Sequence, residues 1–512
     1  MRRRRGLLLL ASLAAVLAAF PSHAAALKKP NIVLITTDDQ TLADFNQRSM
    51  PKTARQLVGK GTTFTNAIVT TPQCCPSRAS IITGQYAHNH GVMSNRLSYP
   101  NLLDKDNTLP VWLDRAGYKT AHVGKYLNGY DSAAATETEI APGWDLWFTT
   151  KGTTRYYHYD VSANGRLKRF GGRERDNVTA VINRKARTLV RRMAPKKAPL
   201  YLQVDHRAPH TETGVESKGR CGGRAVPEKR DNKLFLDEPL PTPPSLNEAD
   251  VSDKPSFIST RPQLDAGKIK RATKRHRCAL AAVRSVDRGV GAIIKELKRK
   301  NELRKTIIAF MSDNGFYGGE HRIGTGKIYP YEEGIRVPLA MRVPEKYRGG
   351  GDRVPEISAP VANIDLAPTF LELGRASSCK GGGECRTMDG RSLLGLLSGH
   401  GAFPEERALL TEFDVGNNTS QQDGLCRYAG VRVPGAILIE HTVARDEVDG
   451  CQPTPERELY DLEVDPFQLQ SLESDTSADG LESSLKARLD GIRDCAGIAG
   501  RDQRVDGRPF CE

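Results

Sequence analysis

Two short apolar runs, far apart along the chain, constrain its fold more than any other feature. The first reads Asn-Ile-Val-Leu-Ile-Thr at 31–36, and the second reads Thr-Ile-Ile-Ala-Phe-Met at 306–311. Both are rich in β-branched residues and lack an alternation of polar and apolar side chains. This pattern is typical of a strand that is buried on both faces. Residues 201–204 form a third, shorter candidate strand.

Helical patterns separate these predicted strands. One begins near Lys52, a second spans 109–116, and a third covers roughly 279–300. In the third, apolar residues recur at the three- and four-residue spacing of a single helix face. Strands that alternate with helices predict an α/β domain with a large, mostly parallel central sheet flanked by helices.

Polar residues that can bind a cation follow the two main strands directly. Asp38 and Asp39 come after the first strand, and Asp313 and Asn314 come after the second. Ligands in open α/β sheets bind beyond the carboxyl ends of the strands. Three carboxylates and an amide oxygen at that edge suit Ca²⁺, with Mg²⁺ as the alternative. Taken alone, Asp38 and Asp39 fit a turn or a helix cap equally well.

Two parts of the chain depart from the alternation of strands and helices. Residues 211–270 are polar and contain several prolines, so we interpret them as an insertion or lid within a main domain of residues 26–395. Beyond it, residues 396–512 predict a smaller C-terminal α+β subdomain. Its candidate strands lie at 436–441 and 459–462.

The first 25 residues have the features of a secretory signal peptide. Four arginines follow Met1, an apolar run extends from Leu7 to Phe20, and small residues follow at 24–26. A membrane-spanning helix needs about 20 apolar residues, and no segment of the chain has them. We therefore expect an exported protein, secreted or periplasmic, without a membrane span.

The chain is basic, with 75 Lys and Arg against 61 Asp and Glu and a formal net charge of +14. Such a balance favours anionic partners, among them sulfated polymers, acidic surfaces and nucleic acid, or it serves solubility alone. Export argues against nucleic acid as the natural partner, and the sequence contains no nucleic-acid-binding motif.

Residues 74–84 read Cys-Cys-Pro-Ser-Arg-Ala-Ser-Ile-Ile-Thr-Gly. By itself, this segment also fits a buried or disulfide-bonded cysteine beside a turn proline. Its Cys-x-Pro-x-Arg order resembles the signature of the type I sulfatases. In that family the first cysteine is oxidised to an aldehyde, formylglycine, by a formylglycine-generating enzyme. The resemblance implies that Cys74 provides the nucleophile, at the amino end of a helix where anions are favoured.

Further segments resemble sulfatase landmarks and follow in the family's order. Lys125 lies in a Gly-Tyr-x-Thr…Gly-Lys stretch, His210 in a Pro-His element, and Lys327 before Tyr-Glu-Glu-Gly-Ile-Arg-Val-Pro. His321, in Gly-Glu-His, is a weaker match and is predicted to bind substrate. Many sulfatases have a histidine two positions after the first lysine, whereas this chain has Leu127 followed by Asn128.

The Gly-Lys-Tyr-Leu-Asn version of that stretch is similar to N-acetylglucosamine-6-sulfatases, which makes Asn128 a candidate contact to sulfate or sugar. The resemblance covers most of residues 30–470. It implies an alkaline-phosphatase-like α/β sandwich that hydrolyses sulfate esters of carbohydrate, with 6-sulfated glucosamine as the first candidate substrate.

The resemblance also implies a mechanism. Hydrated formylglycine carries two hydroxyls: one attacks sulfur, and loss of the second proton lets the aldehyde reform and release sulfate. The metal ligands would be Asp38, Asp39, Cys74, Asp313 and Asn314. Arg78, Lys125 and Lys327 would offset the sulfate charge. His210 would protonate the leaving oxygen or bind sulfate.

The chain has ten cysteines, and export permits disulfides. If Cys74 is modified and Cys75 is a small buried residue, eight cysteines are left to pair. Nearness in sequence suggests the pairs 379–385, 426–451 and 495–511, which leaves 221 with 278. Sequence alone does not determine this connectivity.

Other functions stay open at this stage. A broad arylsulfatase and a phosphoester or phosphonate hydrolase of the same superfamily are the nearest alternatives. A secreted, non-catalytic binder of sulfated polymers, with Cys74 unmodified, is an alternative from a different class.

Overall fold

The computed structural model describes residues 27–133, 139–152, 154–194, 198–212, 219–380, 383–415, 425–443 and 455–512. The predicted signal peptide, residues 1–25, and Cys451 lie outside these residues.

The strands form one large sheet and two small ones. The large sheet has ten strands in the order β11-β2-β10-β9-β1-β8-β4-β5-β6-β7, a second sheet pairs β12 with β3, and a third has the order β13-β14-β15-β16. The strands are β1 Asn31–Asp38, β2 Thr62–Phe64, β3 Ala67–Ile68, β4 Lys119–Gly124, β5 Leu146–Thr150, β6 Tyr159–Ala163, β7 Arg166–Phe170, β8 Leu200–Pro209, β9 Thr306–Ser312, β10 Leu339–Arg342, β11 Glu356–Ile357, β12 Val361–Ala362, β13 Leu409–Asp414, β14 Leu425–Val433, β15 Ala436–Val443 and β16 Pro455–Asp461.

The centre of the large sheet is parallel, as predicted. Strand β1 pairs in parallel with β9 on one side and with β8 on the other, and β4 and β5 continue the parallel order. Antiparallel strands flank this centre, because β10 returns beside β9 and the β6–β7 hairpin extends the edge at β5. Every residue of β1, β8 and β9 is buried, which matches the continuous apolar runs of the sequence. The carboxyl ends of β1, β8 and β9 consequently meet at one edge.

Helices cover both faces of the sheet. The longest begins at Ala266, so the last residues of the predicted 211–270 insertion belong to this helix, whose N-terminus is capped by the side chain of Asp265. The helices are α1 Pro51–Thr53, α2 Cys74–Thr83, α3 Ala87–His90, α4 Leu109–Arg115, α5 Tyr130–Ala133, α6 Val178–Met193, α7 Ser256–Ser259, α8 Ala266–Arg299, α9 Glu332–Ile335, α10 Leu366–Gly374, α11 Leu394–Ser398 and α12 Asp479–Ile492, with a π-turn at Ala54–Val58.

A smaller antiparallel sheet, β13 to β16, lies near the end of the chain and packs against α12. Its strands β15 and β16 confirm the two strands predicted there. Arg407, just before this sheet, is fully buried and forms a two-pronged ion pair with Asp365 at Nη–Oδ distances of 2.7 and 2.9 Å. The domain boundary at residue 395 stays a prediction.

Three of the predicted disulfides are confirmed: Cys221–Cys278, Cys379–Cys385 and Cys495–Cys511. Cys74 and Cys75 are the free cysteines of the described chain, and both are buried. Across the described ranges, every helix is too short or too polar to span a lipid bilayer.

Candidate active site

Cys74 is the first residue of α2, at the carboxyl edge of the sheet. The preceding Gln73 is extended (φ −149°, ψ 145°), so the helix starts abruptly at the cysteine, and all ten residues of α2 are buried. Gly84 ends the helix in a left-handed conformation (φ 71°), which glycine adopts without steric cost. A buried helix of this kind presents its amino end, where N–H groups favour anions, at the end of β1.

The polar residues predicted to bind a cation do meet at this edge. The Asp313 amide donates to the Thr37 carbonyl at 3.0 Å, which joins the segment after β9 to the end of β1. The Asp39 amide donates to Asp313 Oδ1 at 3.2 Å, and Asn314 Nδ2 donates to Asp39 Oδ1 at 2.7 Å. Asp38, Asp313 and Asn314 are fully buried, so each carboxylate needs a compensating positive charge.

Two lysines supply positive charge beside Cys74. Lys125 Nζ donates to Asp38 Oδ2 at 2.7 Å, and Lys327 Nζ lies 2.7 Å from Cys74 Sγ and also contacts Asp39. Cys74 Sγ in turn lies 3.2 Å from Asp38 Oδ1. Burial and the neighbouring carboxylates, foremost Asp38, raise the pKa of Cys74 to about 12. The unmodified side chain is therefore a neutral thiol rather than a reactive thiolate at neutral pH.

The glycine before Lys125 explains how that lysine reaches the site. Gly124 ends β4 with φ 121°, and a Cβ there would lie 1.9 Å from the carbonyl oxygen of Asp205. The Lys125 amide donates to the same carbonyl at 2.9 Å. The Gly-Lys pair thus lets β4 approach β8 closely and then turns the lysine towards Asp38.

His210 follows β8 and faces the same group. Its Nδ1 lies 2.6 Å from the Thr211 carbonyl and its Nε2 lies 3.7 Å from Asp39 Oδ2. Since a carbonyl only accepts, Nδ1 carries a proton, and Nε2 is the nitrogen that faces the site. Burial lowers the pKa of His210, which favours the neutral ring.

One ligand atom from each of Asp38, Asp39, Cys74 and His210 lies within 4.8 Å of the others. Beside them, Asn314 Oδ1 is buried and has no hydrogen-bond partner among the described residues. An orphaned amide oxygen next to two buried carboxylates is a donor set that suits a hard divalent cation. These residues therefore fit the predicted metal.

Asp313 lies just outside that group. Its Oδ2 accepts from Arg78 Nε at 2.8 Å, and its Oδ1 accepts from the Asp39 amide. Burial and the neighbouring Asp38 raise the pKa of Asp313 to about 6. Asp313 thus connects Arg78 to the carboxylates at the end of β1.

Arg78 belongs to a buried network that the sequence analysis missed. Its Nη1 lies 3.5 Å from Asp205 Oδ1 and donates to the Lys125 carbonyl at 3.1 Å. Asp205 also accepts from the Thr36 hydroxyl, and its Oδ2 lies 2.9 Å from His122 Nε2. The only sequence signal for this network was a set of polar residues in otherwise apolar strands, at Thr36, His122 and Asp205.

A cavity of about 500 Å³, which we call the catalytic cavity, opens over Cys74. Asn128 and His210 line it, together with Arg155 and Arg207, which the sequence analysis did not single out. Arg207 comes from β8, three residues before His210, and its Nη1 donates to the Arg155 carbonyl at 2.6 Å. Basic side chains in the wall suit an anionic substrate.

His321 does not line this cavity, contrary to its predicted contact with substrate. Its ring is fully buried, with Nδ1 2.8 Å from Glu248 and Nε2 3.4 Å from Glu333. It also stacks on Tyr331, with ring centroids 4.2 Å apart. Two carboxylates therefore face the ring nitrogens and a tyrosine covers one ring face, so the ring nitrogens of His321 point to Glu248 and Glu333 and not into the catalytic cavity.

Comparison with known proteins gives consistent family matches. The sequence profile of the sulfatase family matches residues 30–376. A second profile, described as N-sulphoglucosamine sulphohydrolase, C-terminal, matches residues 319–494.

Among curated proteins, the chain is 32% identical over 375 residues to an extracellular sulfatase Sulf-1 homolog of Caenorhabditis elegans. That match covers 72% of this chain and 49% of the worm protein, so this chain spans about half the length of that relative. It is 28% identical over 506 residues to human N-acetylglucosamine-6-sulfatase, covering 93% of this chain and 86% of the human protein.

Among solved structures, the fold resembles that of a protein in complex with its substrate D-glucosamine-2-N,6-O-disulfate. The TM-score is 0.69, the sequence identity is 22%, and the match covers 90% of this chain and 97% of the other. This likeness confirms the predicted fold class.

Proposed function

Because the chain belongs to the sulfatase family, we propose that it hydrolyses sulfate esters through a formylglycine made from Cys74. The observation that carries the proposal is the position of Cys74. It begins a buried helix, with Asp38 Oδ1 3.2 Å and Lys327 Nζ 2.7 Å from its Sγ atom. An anion placed there meets the amino end of a helix and two ammonium groups at once.

Two groups would complete this site. The hydrated aldehyde would supply a nucleophilic hydroxyl and a second hydroxyl whose proton can be lost to release sulfate. Asp38, Asp39 and Asn314, with Asp313 beside them, would hold a calcium or magnesium ion, which polarises sulfate oxygens. Making the aldehyde requires a formylglycine-generating enzyme as a partner during biosynthesis.

The side chains at the site have distinct roles in the proposed reaction. Lys125 and Lys327, now paired with Asp38 and Asp39, offset negative charge on the sulfate oxygens. His210 presents the lone pair of Nε2 to the site, and once this nitrogen is protonated it can donate that proton to the leaving oxygen. Arg78 is a positioning residue in this arrangement, because its Nε holds the carboxylate of Asp313.

For the substrate, we propose a sulfated carbohydrate, with 6-sulfated glucosamine as the first candidate. The human relative is named N-acetylglucosamine-6-sulfatase, and the similar solved structure has a sulfated glucosamine bound. The catalytic cavity offers Asn128 and two arginines beside Cys74. Export through residues 1–25 would place the enzyme where such glycans occur, as with the extracellular relative.

The experiment compares two adjacent cysteines. Cys74→Ala should abolish sulfate release from N-acetylglucosamine 6-sulfate, because no nucleophile is left at the start of α2. Cys75→Ala is the matched control and should keep most of the activity, since Cys75 Sγ points instead to the Asn128 carbonyl at 3.8 Å. Full activity in the Cys74 variant would refute the assignment.

The same proteins should be assayed with an aryl sulfate and the matching aryl phosphate. The proposed function requires sulfate release to exceed phosphate release. The reverse order would favour the phosphoester or phosphonate hydrolase alternative. Binding of sulfated glycans without any turnover, in protein whose Cys74 stays unmodified although a formylglycine-generating enzyme was present, would favour the non-catalytic alternative.

A further inference from the structure

The positive charge of the chain is concentrated in one segment. Residues 161–194, which run from within β6 to the end of α6, contain ten Lys and Arg against two Asp and Glu. That excess of eight is more than half of the net charge of +14 carried by all 512 residues. Charge spread for solubility has no reason to collect in this way, so the segment favours an anionic partner.

Helix α6 carries five of these cations and no acidic residue. Arg184, Arg187 and Arg191 are three and four residues apart, so they form one row on its outer side. Lys185 and Arg192, seven residues apart, form a second row beside the first. All of them are exposed except Lys185, which is half-buried. The opposite face of α6 packs on the large sheet, so the fold holds both rows outward.

Strand β7 adds cations beside the second row. Lys185 Nζ lies 4.8 Å from the ring centroid of Phe148, and Lys168 Nζ lies 5.2 Å from that of Phe170. The two rings touch edge to face, with centroids 6.3 Å apart, so they connect α6 to β7. Arg166, two residues before Lys168 and exposed, lies on the same face of β7.

A cavity of about 450 Å³ borders the other side of α6. Arg173, Arg175, Arg184 and Arg230 line it, and Arg184 Nη2 donates to the Arg175 carbonyl. We call the outer face of α6, together with β7 and this arginine-lined cavity, the α6 surface. It is continuous, because the ring contacts join it to β7 and Arg184 belongs to both the helix and the cavity.

The acidic residues at the α6 surface already have cationic partners. Glu174 lies 3.5 Å from Lys229, and Glu228 lies 2.6 Å from Arg230. On α6 itself, Arg187 is 3.4 Å from Glu296 of α8. Among the residues that the structure describes, no carboxylate forms an ion pair with Arg166, Lys168, Arg173, Arg175, Arg184, Lys185, Arg191 or Arg192. These cations are therefore available to an external anion.

The α6 surface is separate from the catalytic cavity but begins near it. The Val178 amide at the start of α6 donates to the Tyr156 carbonyl at 3.0 Å, and the Tyr156 hydroxyl donates to the His210 carbonyl at 2.9 Å. No residue lines both the catalytic cavity and the arginine-lined cavity. From Val178 the 16 residues of α6 extend for about 24 Å towards the amino end of β8.

The composition and shape of the α6 surface favour a linear sulfated polymer. Eight of the ten cations are arginines, whose planar fork matches the oxygen atoms of sulfate and carboxylate groups. Rows along a helix suit an extended chain, and the arginine-lined cavity admits a single anionic group that a flat lipid surface could not insert. Leu167 is the one large apolar side chain exposed in residues 161–194, which is too little to enter a membrane.

We propose that the α6 surface is a second binding site, separate from the catalytic cavity, that holds a linear sulfated polymer on the enzyme. The inference rests on the proposed function for its consequence in catalysis, whereas binding depends on the α6 surface alone. A polymer held there raises the local concentration of sulfate esters at the catalytic cavity, and a single sulfated sugar does not benefit.

The first test measures the Kd for heparin by calorimetry at several salt concentrations. The double variant Arg184→Gln/Arg191→Gln should raise the Kd about tenfold at physiological salt. It should also lower the slope of log Kd against log salt by about two, since two fewer charges displace counterions. Both side chains are exposed, so the melting temperature should match that of the parent.

The matched control is Lys60→Gln/Lys346→Gln, which removes the same charge at the other edge of the large sheet. Lys60 precedes β2, Lys346 follows β10, and both are exposed. The control should change the Kd for heparin less than twofold. An equal loss of binding in the control would show that net charge, and not the α6 surface, determines the affinity, and would overturn the inference.

The second test separates binding of the polymer from catalysis. With N-acetylglucosamine 6-sulfate, the Arg184→Gln/Arg191→Gln variant should release sulfate at the parental rate. With heparin as the substrate, its KM should rise about tenfold while kcat stays unchanged. An equal loss of activity on the monosaccharide would contradict a separate site.

Equal Kd values for heparin in the parent and in Arg184→Gln/Arg191→Gln would overturn the inference. Loss of binding to phosphatidylglycerol vesicles, with an unchanged Kd for heparin, would also overturn it and assign the α6 surface to a membrane. Failure of the proposed function would show differently, as no sulfate release from the monosaccharide or from heparin by protein whose heparin binding still depends on Arg184 and Arg191.

Discussion

Asn314 has a buried Oδ1 atom without a hydrogen-bond partner among the residues that the structure describes, whereas its Nδ2 atom donates to Asp39. A buried polar atom left unpaired costs about 1–3 kcal/mol. Together with the buried carboxylates of Asp38 and Asp39, it indicates that a cation completes this group of side chains. The stability of the protein should therefore depend on a divalent ion.

Thermal unfolding with calcium and with a chelator tests this dependence. A ligand at 100 times its Kd stabilises a protein by about 2.7 kcal/mol. Calcium should raise the melting temperature of the parent, and Asn314→Ala should remove much of that increase because one oxygen ligand is lost.

Asn31→Ala is the matched control, because Asn31 is also buried but lies at the opposite end of β1 and has hydrogen bonds to Glu302 and Thr306. It should lower stability equally with and without calcium. An unchanged calcium effect in Asn314→Ala would contradict the assignment of this residue to the metal.

Most residues of the site could be identified from the sequence because they follow strands or lie in recognisable motifs. It did not reveal what Arg78 contacts, since its partners Asp205 and Asp313 come from β8 and from the end of β9. The motif around His321 predicted a contact with substrate that the contacts of its ring do not support. Its local motif matches, but Glu248 and Glu333 approach its ring from distant parts of the chain.

At the scale of elements, α2 and α3 connect the candidate site to the smaller sheet. His88 in α3 lies between the two parts, with Nδ1 3.0 Å from Glu412 in β13 and Nε2 2.9 Å from the Cys495 carbonyl. Burial opposes a charge on this ring, but Glu412 outweighs it and raises the pKa of His88 to about 9. The protonated ring can donate to both partners at once.

The raised pKa predicts a pH dependence of stability. His88 stabilises the folded state fully below its ordinary pKa of 6.5, and this contribution is lost as the pH rises through about 9. The loss amounts to at most ~3 kcal/mol of the free energy of unfolding. Urea unfolding between these pH values should show a decline in the parent that is smaller in His88→Gln.

His321, whose pKa is also raised to about 9, titrates over the same range in both proteins, so the difference between them isolates His88. His400→Gln, at an exposed histidine, is the control and should follow the parent curve. Parallel curves for the parent and His88→Gln would show that His88 does not link the two sheets in this way.

Element boundaries were predicted less well than element types. Helix α8 begins at Ala266, before the apolar spacing becomes regular, because Asp265 caps it and the Cys221–Cys278 disulfide holds its first half. The sequence analysis also did not predict the strands β2, β10 and β11 at one edge of the large sheet, since they are only two to four residues long.

At the scale of the whole molecule, the site exists because β1 lies between β8 and β9 in the sheet. Strands from distant parts of the chain end at the same edge, which brings Asp38, His210 and Asp313 together. The buried apolar runs predicted the strands, and the general behaviour of parallel sheets predicted the shared edge. The order of the ten strands depends on long-range pairing that no local pattern encodes.

The account depends on the chemical state of residue 74 in active protein. The most direct measurement is the mass of the peptide that contains Cys74, taken from protein whose sulfate release has been measured in the same preparation. We expect the mass of an aldehyde in place of the thiol, in a fraction of molecules that rises with specific activity. Fully active protein in which every peptide retains the cysteine thiol would contradict the account.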